Sequence, residues 1–279
     1  MIKNLFNKLF QFFYATNKSE VVLQSKLRQE INFIKKREFE RDNKNLIPFG
    51  YIVFSQTDED GIINEIFKRI GTTNKQFLEF GVNTDFNNTT YLLFNGWKGV
   101  WLESSKKKII KIEEKYSSFI KNKKLKLFNK IITAENVNEE LKFSKLNKNL
   151  DLLSIDIDGN ELYVLNELKI INPRVIIVEY NAKFPPPVEK TIKYDPKFIW
   201  DYDDYFGSSL QLLENTLKKI GYVLVGCNAL GVNAFFIKKE LVKNKFPKNS
   251  TAQFHYQEFR IGLNNIKSSH INSNKWLNE

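Results

Sequence analysis

Two acidic residues and one glycine stand at the ends of neighbouring apolar segments, with a spacing that suits a nucleoside. Glu79 lies inside the apolar segment LEFGV, which breaks at Gly81, and Glu103 ends the next apolar segment 22 residues after that glycine. A glycine lets the chain turn sharply next to a ligand. An acid about 20 residues beyond such a turn can accept hydrogen bonds from both hydroxyls of a ribose. The pattern predicts a binding site for an adenosyl ligand.

The turn that follows, GVNTDFNNTT, favours S-adenosylmethionine over a dinucleotide. A dinucleotide needs a glycine-rich turn that opens a helix, because the helix amides hold its pyrophosphate. This turn has a single glycine, and Asp85 would repel a pyrophosphate. S-adenosylmethionine has no phosphate and carries a sulfonium and an ammonium, which suit Glu79, Asn83 and Asp85. Two compatible roles of Glu79 stay open: contact with a cationic ligand, and capping of the loop amides.

A second acidic pair, Asp156 and Asp158, precedes Gly159 in the segment SIDIDGNEL. Residues two apart in an extended chain point to the same side, so both carboxylates can converge. Three roles stay open: ligands of a hard divalent cation such as Mg²⁺ or Mn²⁺, a general base for a substrate hydroxyl, or an anchor for the ligand's ammonium with Asp158 capping the next helix. Glu179 and Asn181, after the following apolar segment, can complete a metal or acceptor site. We predict Asp156, Asp158 and Glu179 as catalytic residues, Asp156 also as a cofactor contact, and Asn181 as a substrate contact.

The acceptor is expected to bind a long aromatic loop. Residues 182–207 contain four prolines and many aromatic side chains, and loops of this length are usually lids or binding loops. Tyr194, Asp204 and Tyr205 are predicted to bind a carbohydrate-like acceptor. Ser208 or Ser209 is expected to cap the next helix. The two histidines, His255 and His270, lie in the C-terminal tail, where we expect them to be solvated. This favours a carboxylate or metal-assisted mechanism over a histidine base.

The elements that position these residues alternate between short apolar runs and helical patterns. The runs lie at 76–82, 99–104, 125–133, 151–157 and 175–181, and helical patterns lie at 105–120, 160–170 and 208–220. A further helical pattern, TDEDGIINEIFKRIG, has Thr57 and Asp58 as N-cap candidates, acids in its first turn and Gly71 as its stop. Such alternation predicts a parallel sheet with helices on both faces. The last two runs, 221–228 and 232–239, are too close for a parallel crossover and predict an antiparallel hairpin. The predicted fold is α/β and Rossmann-like, on the class I methyltransferase plan, with a mostly parallel seven-stranded sheet and a C-terminal antiparallel hairpin.

Composition describes an ordinary globular protein. The chain has 279 residues, of which 42% are hydrophobic and 27% charged. The single cysteine, Cys227, excludes a disulfide framework and a cysteine zinc cluster, and fits the cytoplasm. The net charge of +11 raises the question of a nucleic-acid partner, but only six of the 43 basic residues are arginines. Because arginine is the preferred reader of phosphates and guanines, we expect no nucleic-acid partner.

Three segments are predicted along the chain: an N-terminal helical arm at 1–45, a methyltransferase domain at 46–240 and a polar C-terminal tail at 241–279. Residues 1–18 carry apolar side chains at helical spacing, interrupted too often for a signal peptide. We expect this arm to dock on its own domain or on a partner, with peripheral membrane contact as the alternative. No apolar run approaches the ~20 residues that span a bilayer. The sequence does not indicate an oligomeric state.

In the order of its motifs the chain resembles the FkbM-like S-adenosylmethionine-dependent methyltransferases of polysaccharide and secondary-metabolite gene clusters. The matching motifs, between residues 51 and 240, include SQTDEDGIINEIFKRIG, EFGVNTDFNNTTYLLFNGWKGVWLE, LLSIDIDGNELYVLNEL and PRVIIVEYN, followed by GYVLVGCN and GVNAFF. The resemblance implies that residues 79–83 hold the methionine moiety and that Glu103, with Ser104 beside it, holds the ribose. It implies that Ala134 and Glu135 border the adenine. The chain departs from its relatives at 84–85, where they carry a second glycine.

We therefore expect O-methylation of a sugar, a glycan precursor or another small molecule. Two alternatives stay open. The departure at 84–85 favours a catalytically degenerate nucleoside-binding protein of the same fold. The net charge favours a nucleic-acid methyltransferase, but the residues after the fourth apolar run are IDIDG instead of the Asn/Asp-Pro-Pro-Tyr/Phe type of motif.

Overall fold

A seven-stranded sheet forms the centre of the protein. The computed structural model describes residue 22, residues 25–260 and residues 275–276. The strands are β1 (Gln76–Phe80), β2 (Lys98–Glu103), β3 (Leu125–Asn129), β4 (Leu152–Ile155), β5 (Val175–Glu179), β6 (Tyr222–Cys227) and β7 (Asn233–Lys238). Their order in the sheet is β3-β2-β1-β4-β5-β7-β6. The predicted runs are confirmed as strands, and most of the strands end before the predicted boundary.

Helices occupy most of the connections between strands. They are α1 (residues 25–41), α2 (Glu59–Ile70), α3 (Thr90–Phe94), α4 (Lys106–Lys115), α5 (Ser117–Lys121), α6 (Val137–Lys142), α7 (Glu161–Glu167), α8 (Leu210–Lys219), α9 (Lys239–Val242) and α10 (Ala252–His255). Ser209 is the N-cap of α8, and its hydroxyl accepts a hydrogen bond from the Leu212 amide at 3.4 Å. Gly71 ends α2 with a φ of 69°. The predicted cap and stop are confirmed.

Strand β7 runs against its neighbours. It pairs antiparallel with both β5 and β6, whereas β1 pairs parallel with β2 and β4, and β4 with β5. The register of β5 and β7 sets Glu179 directly opposite Asn233. The predicted Rossmann-like sheet with its C-terminal antiparallel hairpin is confirmed. The carboxyl ends of β1, β2, β4 and β5 lie at one edge of this sheet, where ligands bind in open α/β folds.

Hydrophobic cores cover both faces of the sheet. In β1, Phe77 belongs to one core and Leu78 and Phe80 to the other. Trp101 and Ile62 fill the first core, which lies under α2 and α4. Because parallel strands buried on both faces are apolar throughout, a polar side chain inside β1 must have a specific partner.

The segments that flank the central domain also pack against it. In α1, Ile34 is fully buried against Ile47 and Ala229. His255 of α10 is 2% exposed, and burial lowers its pKa to about 3. The expectation that His255 is solvated is therefore wrong, because α10 packs on α8 and β6. Residues 1–18 and His270 lie outside the described residues. Among the described residues, no helix is long and apolar enough to cross a membrane.

Candidate active site

The predicted nucleoside site and the predicted catalytic residues meet at Gly81 and Asp156. Gly81 has a φ of 79°, and a Cβ atom placed on it would lie 1.5 Å from the Asp156 carbonyl oxygen. The Asp156 amide donates to the Phe80 carbonyl oxygen at 3.2 Å. Gly81 is thus required by the contact between the ends of β1 and β4. This close contact brings the predicted nucleoside and catalytic residues to one place.

Glu79 is committed to the loop that follows β1. Its side chain is buried in the sheet, and its two oxygens accept hydrogen bonds from the amides of Asn88 (2.9 Å) and Thr89 (3.2 Å) and from the Thr89 hydroxyl (2.5 Å). Trp101 Nε1 donates to that hydroxyl at 2.7 Å. Burial raises the pKa of Glu79 to about 7. Of the two roles predicted for Glu79, capping of the loop amides is the one visible in these contacts.

Glu103 and Ser104 lie where β2 ends and α4 begins. One Glu103 oxygen accepts from the Ser105 amide at 2.6 Å, and the other lies 3.8 Å from the Lys108 ammonium. Ser105 then caps α4 by accepting from the Lys108 amide at 3.4 Å. Ser104 is exposed. Glu103 is therefore held at the strand tip in the position predicted for a ribose contact.

Asn83 and Asp85 form the surface of the loop after β1. The Asn83 amide donates to Asn87 Oδ1 at 2.6 Å. The Asp85 carboxylate is exposed and lies 3.2 Å from the Lys115 ammonium. Hydrogen bonds from Thr84 and Lys115 lower the pKa of Asp85. Asp85 thus pairs with a surface lysine, and its contacts do not bring it together with Glu79.

Three predicted catalytic carboxylates do converge. Asp156, Asp158 and Glu179 each offer an oxygen, and these oxygens lie within 4.8 Å of one another. Asp158 sits in the turn after β4 with a φ of 60° and is exposed, so the cluster opens to solvent. Burial raises the pKa of both Asp156 and Glu179 well above the usual range. The charge of Asp158 raises the pKa of Asp156 further, and the charge of Asp156 does the same for Glu179. Such a set can accept a proton or hold a cation.

A fourth carboxylate, Glu161, lies beneath this turn. It is fully buried, and one oxygen accepts from the amides of Ile157 and Gly159, each at 2.9 Å. Its second oxygen has no hydrogen-bond partner among the described residues, and burial raises its pKa to about 7. Sequence reasoning did not single out Glu161. Its signal in the sequence is its position in the first turn of the helix that follows Asp158.

Asn181 supports the aromatic loop from within. It is fully buried, and its side-chain amide donates to the carbonyl oxygens of Asp204 (2.9 Å) and Phe206 (3.0 Å). Its side-chain oxygen accepts from the Lys183 amide at 3.0 Å. Both ends of the Asn181 amide are therefore used to shape the loop, and a direct contact with substrate stays a prediction.

The aromatic loop closes over the turns after β3 and β4. The Tyr194 hydroxyl donates to Glu135 at 2.5 Å and accepts from the Ala134 amide at 3.2 Å. The Phe198 ring packs so closely on Gly159 that a Cβ atom there would lie 2.6 Å from it. A cavity of about 400 Å³ opens beside these contacts, lined by Lys193, Tyr194, Asp195, Phe198 and Tyr205. Of the predicted substrate residues, the structure thus brings Tyr194 and Tyr205 to one cavity, and Asp204 lies buried beside it.

A buried polar network joins α2 to the hairpin of β6 and β7. Glu59 is fully buried and accepts from the Thr57 hydroxyl (2.5 Å), from Asn228 Nδ2 (3.2 Å) and from Asn233 Nδ2 (3.0 Å). The neighbouring Asp58 accepts from the Ala229 amide at 3.2 Å, and burial raises the pKa of Asp58 to about 7. The sequence reasoning treated these acids only as the start of a helix. Their partners lie about 170 residues away in the chain, which no local pattern reveals.

The family of the chain follows from a comparison with known families. A model described as the methyltransferase FkbM domain matches residues 73–224, more than half of the chain. The chain belongs to the FkbM methyltransferase family. The match spans β1 to β6 and includes Glu79, Glu103, the carboxylate cluster and the aromatic loop. Family and fold together make the chain a methyltransferase of the S-adenosylmethionine-dependent class, as the motifs predicted.

Solved methyltransferases are similar to this FkbM methyltransferase at low identity. A magnesium protoporphyrin IX methyltransferase from Synechocystis PCC 6803 has 8% identity and a TM-score of 0.43, over 64% of this chain and 77% of that chain. An O-methyltransferase from Bacillus cereus has 14% identity and a TM-score of 0.40, over 75% and 89%. A methyltransferase from Aquifex aeolicus has 15% identity and a TM-score of 0.40, over 75% and 97%. TM-scores below 0.5 give these likenesses no weight for the substrate. No curated protein matches the sequence.

Proposed function

We propose that this FkbM methyltransferase transfers the methyl group of S-adenosylmethionine to a hydroxyl of a carbohydrate-like acceptor. The observation that carries the proposal is the lining of the sheet edge. Carboxylates of Glu103, Asp156 and Glu179 stand at the ends of β2, β4 and β5 at this edge, and Glu79 holds the loop after β1 through the amides of Asn88 and Thr89. Such a lining suits a donor that brings a sulfonium and an ammonium and no phosphate. Glu103 would accept hydrogen bonds from the ribose hydroxyls.

Asp156 is the proposed general base. The acceptor oxygen attacks the methyl carbon in line, the carbon–sulfur bond breaks, and its electron pair stays on sulfur. The hydroxyl proton passes to Asp156. Burial and the charge of Asp158 raise the pKa of this carboxyl, which makes its ionised form a stronger proton acceptor. Alignment of donor and acceptor supplies most of the remaining catalysis.

The cavity beside the aromatic loop is the proposed acceptor site. Tyr194, Phe198 and Tyr205 offer ring faces, and Lys193 and Asp195 offer charged groups at the same cavity. Aromatic faces combined with polar groups suit a sugar ring, which has apolar CH faces and a hydroxyl rim. Phe198, which lines this cavity, also lies against Gly159, the residue after Asp158. We place the reaction in cytoplasmic synthesis of polysaccharide or glycan precursors, with residues 1–18 docked on the domain or on a partner and peripheral membrane contact as the alternative.

Transfer of a labelled methyl group tests the proposal. The full chain is incubated with methyl-labelled S-adenosylmethionine and a panel of sugars and sugar nucleotides, and products are identified by mass spectrometry. We expect label on a hydroxyl oxygen, and roughly a hundredfold lower kcat in Asp156→Asn, which removes the base. Glu167→Gln, an exposed change on α7, is the matched control and should retain full turnover. Binding of the demethylated cofactor without any transfer would favour the degenerate binding protein, and strongly salt-dependent RNA or DNA binding would favour the nucleic-acid alternative.

A further inference from the structure

We infer that this FkbM methyltransferase holds one hard divalent cation between Asp156, Asp158, Glu179 and the side-chain oxygen of Asn233. The inference rests on the proposed function, because Asp156, the proposed base, would be one of the ligands of the cation. It deepens that function by naming a second cofactor and a fourth ligand. Asn233 is the new element, since it comes from β7, far along the chain from β1, β4 and β5.

Three carboxylates converge where β4 and β5 end. Oxygens of Asp156, Asp158 and Glu179 lie within 4.8 Å of one another and come from the ends of two neighbouring strands. A buried oxygen of Glu179, Oε2, has no hydrogen-bond partner among the described residues. Asp158 is exposed, which gives an entering ion a route from solvent. Carboxylate oxygens arranged in this way are the ligands that hard divalent cations take.

Asn233 supplies an independent observation. It is 3% exposed and lies directly opposite Glu179 in the antiparallel pair of β5 and β7. Directly opposed residues project to the same face of a sheet, with Cβ atoms about 5 Å apart. The Asn233 Nδ2 group donates to Glu59 at 3.0 Å, which directs Oδ1 away from Glu59. Oδ1 is buried and has no partner among the described residues.

Two residues that are paired across β5 and β7, Glu179 and Asn233, each have a buried oxygen without a partner among the described residues, and a shared ligand would satisfy both. An unsatisfied buried acceptor destabilises the folded state, so native proteins rarely retain one without a reason. Glu179 Oε2 and Asn233 Oδ1 are both acceptors, and a third unpartnered oxygen, that of Glu161, lies in the same group of interacting carboxylates. A cation satisfies acceptors of this kind.

The charge of the cluster favours a divalent metal over an organic ammonium. Asp156, Asp158 and Glu179 bring three carboxylates, and buried Glu161 interacts electrostatically with each of them. A single ammonium would leave most of this charge uncompensated, and uncompensated buried charge is costly. A divalent cation neutralises two charges and also accepts an amide oxygen and waters as ligands.

Mn²⁺ binding to the full chain, without donor or acceptor, tests the inference. The chain is stripped with EDTA, and Mn²⁺ is titrated while free Mn²⁺ is measured by electron paramagnetic resonance. We expect one site per chain, with an affinity roughly tenfold or more weaker in Asp158→Asn and in Glu179→Gln. Asn233→Ala should weaken Mn²⁺ binding as well. If Asn233→Ala does not fold, Asp158→Asn still tests the cation site, because Asp158 is exposed. Glu167→Gln should bind Mn²⁺ as the wild type does.

Three results would overturn the inference. They are the absence of a Mn²⁺ site in the wild type, a Mn²⁺ affinity in Asp158→Asn and Glu179→Gln equal to that of the wild type, and expulsion of Mn²⁺ by S-adenosylhomocysteine. The last result would mean that the pocket holds the cofactor's ammonium. Calorimetry with S-adenosylhomocysteine in EDTA separates the two proposals. Cofactor binding without a Mn²⁺ site removes the cation and leaves the proposed function standing. A Mn²⁺ site without cofactor binding removes the proposed function and leaves the cation site standing.

Discussion

The Tyr194 hydroxyl donates a hydrogen bond of 2.5 Å to the Glu135 carboxylate. This contact ties the aromatic loop to the turn that was predicted to border the adenine. The Tyr194 ring also packs on Tyr163 of α7, with 4.9 Å between ring centroids. One side chain therefore joins the predicted donor and acceptor sides of the site, and we expect binding on the two sides to be coupled.

Tyr194→Phe should weaken cofactor binding without disturbing the fold. The variant keeps the ring and loses the hydrogen bonds to Glu135 and to the Ala134 amide. Because Glu135 is exposed, we expect only a roughly fivefold increase in the Kd of S-adenosylhomocysteine, measured by calorimetry. Tyr202→Phe is the matched control, since Tyr202 is in the same loop and is 84% exposed. Equal affinity in both variants would show that the contact does not shape the donor site.

Gly81→Ala should destabilise the protein more than Gly96→Ala. Both glycines have a positive φ, of 79° and 81°. A Cβ atom at 81 would lie 1.5 Å from the Asp156 carbonyl oxygen, whereas at 96 nothing lies within 4 Å. Both variants place an alanine at a positive φ, which is unfavourable for any residue with a Cβ atom. Gly81→Ala must in addition separate the ends of β1 and β4. We expect its free energy of unfolding in urea to be lower by roughly 2 kcal/mol or more than that of Gly96→Ala. Equal losses would contradict the close contact.

The stability of the apo protein should fall as the pH rises from about 4 to above 7. Burial raises the pKa of Asp58 from 3.8 and those of Glu79 and Glu161 from 4.5, each to about 7. The folded state therefore holds protons that the unfolded state releases in this range. The stabilisation is fully present below the unfolded pKa and is lost as the pH passes the folded pKa. Each group contributes at most about 1.4 kcal/mol per pH unit. Urea unfolding in EDTA across this pH range measures how the free energy of unfolding changes with pH. A free energy of unfolding that rises with pH would contradict the prediction.

Glu161→Gln should make the free energy of unfolding fall less steeply as the pH rises. Its amide oxygen can keep the hydrogen bonds from Ile157 and Gly159, and its NH₂ group replaces the oxygen that has no partner. The variant loses a buried charge, so at pH 8 in EDTA it should unfold at the same or a higher urea concentration than the wild type. Glu167→Gln should leave the curve unchanged. A large loss of stability at pH 8 would show that the charge of Glu161 is needed for the fold.

The sheet could be predicted from the sequence because its signals are local. The lengths of the apolar runs, the caps and the short link between β6 and β7 each act over a few residues. Boundaries shifted, because residues such as Ile131 and Ile157 continue the apolar pattern after hydrogen bonding in the sheet has ended. The convergence of Asp156, Asp158 and Glu179 followed from their positions at the ends of strands.

The rest of the site depends on contacts between distant parts of the chain. Asn181 looks like a ligand in the sequence, but its neighbours at 204 and 206 use its amide. Asn233 and Glu59 carry no motif, and they meet only after α2 and the hairpin have packed together. Asp85, in the loop after β1, pairs with Lys115 of α4, and this pairing depends on the packing of α4 beside the loop.

Calorimetric titration with S-adenosylhomocysteine, comparing the wild type with Glu103→Gln, tests the central claim most directly. We expect the wild type to bind one molecule per chain and not to bind NAD⁺. Loss of a charged acceptor for the ribose hydroxyls should weaken that binding roughly tenfold or more in Glu103→Gln. Glu139→Gln, an exposed change on α6, should bind as the wild type does. No binding by the wild type, binding of NAD⁺ in its place, or equal affinity in Glu103→Gln would contradict a nucleoside site built from carboxylates at the strand ends.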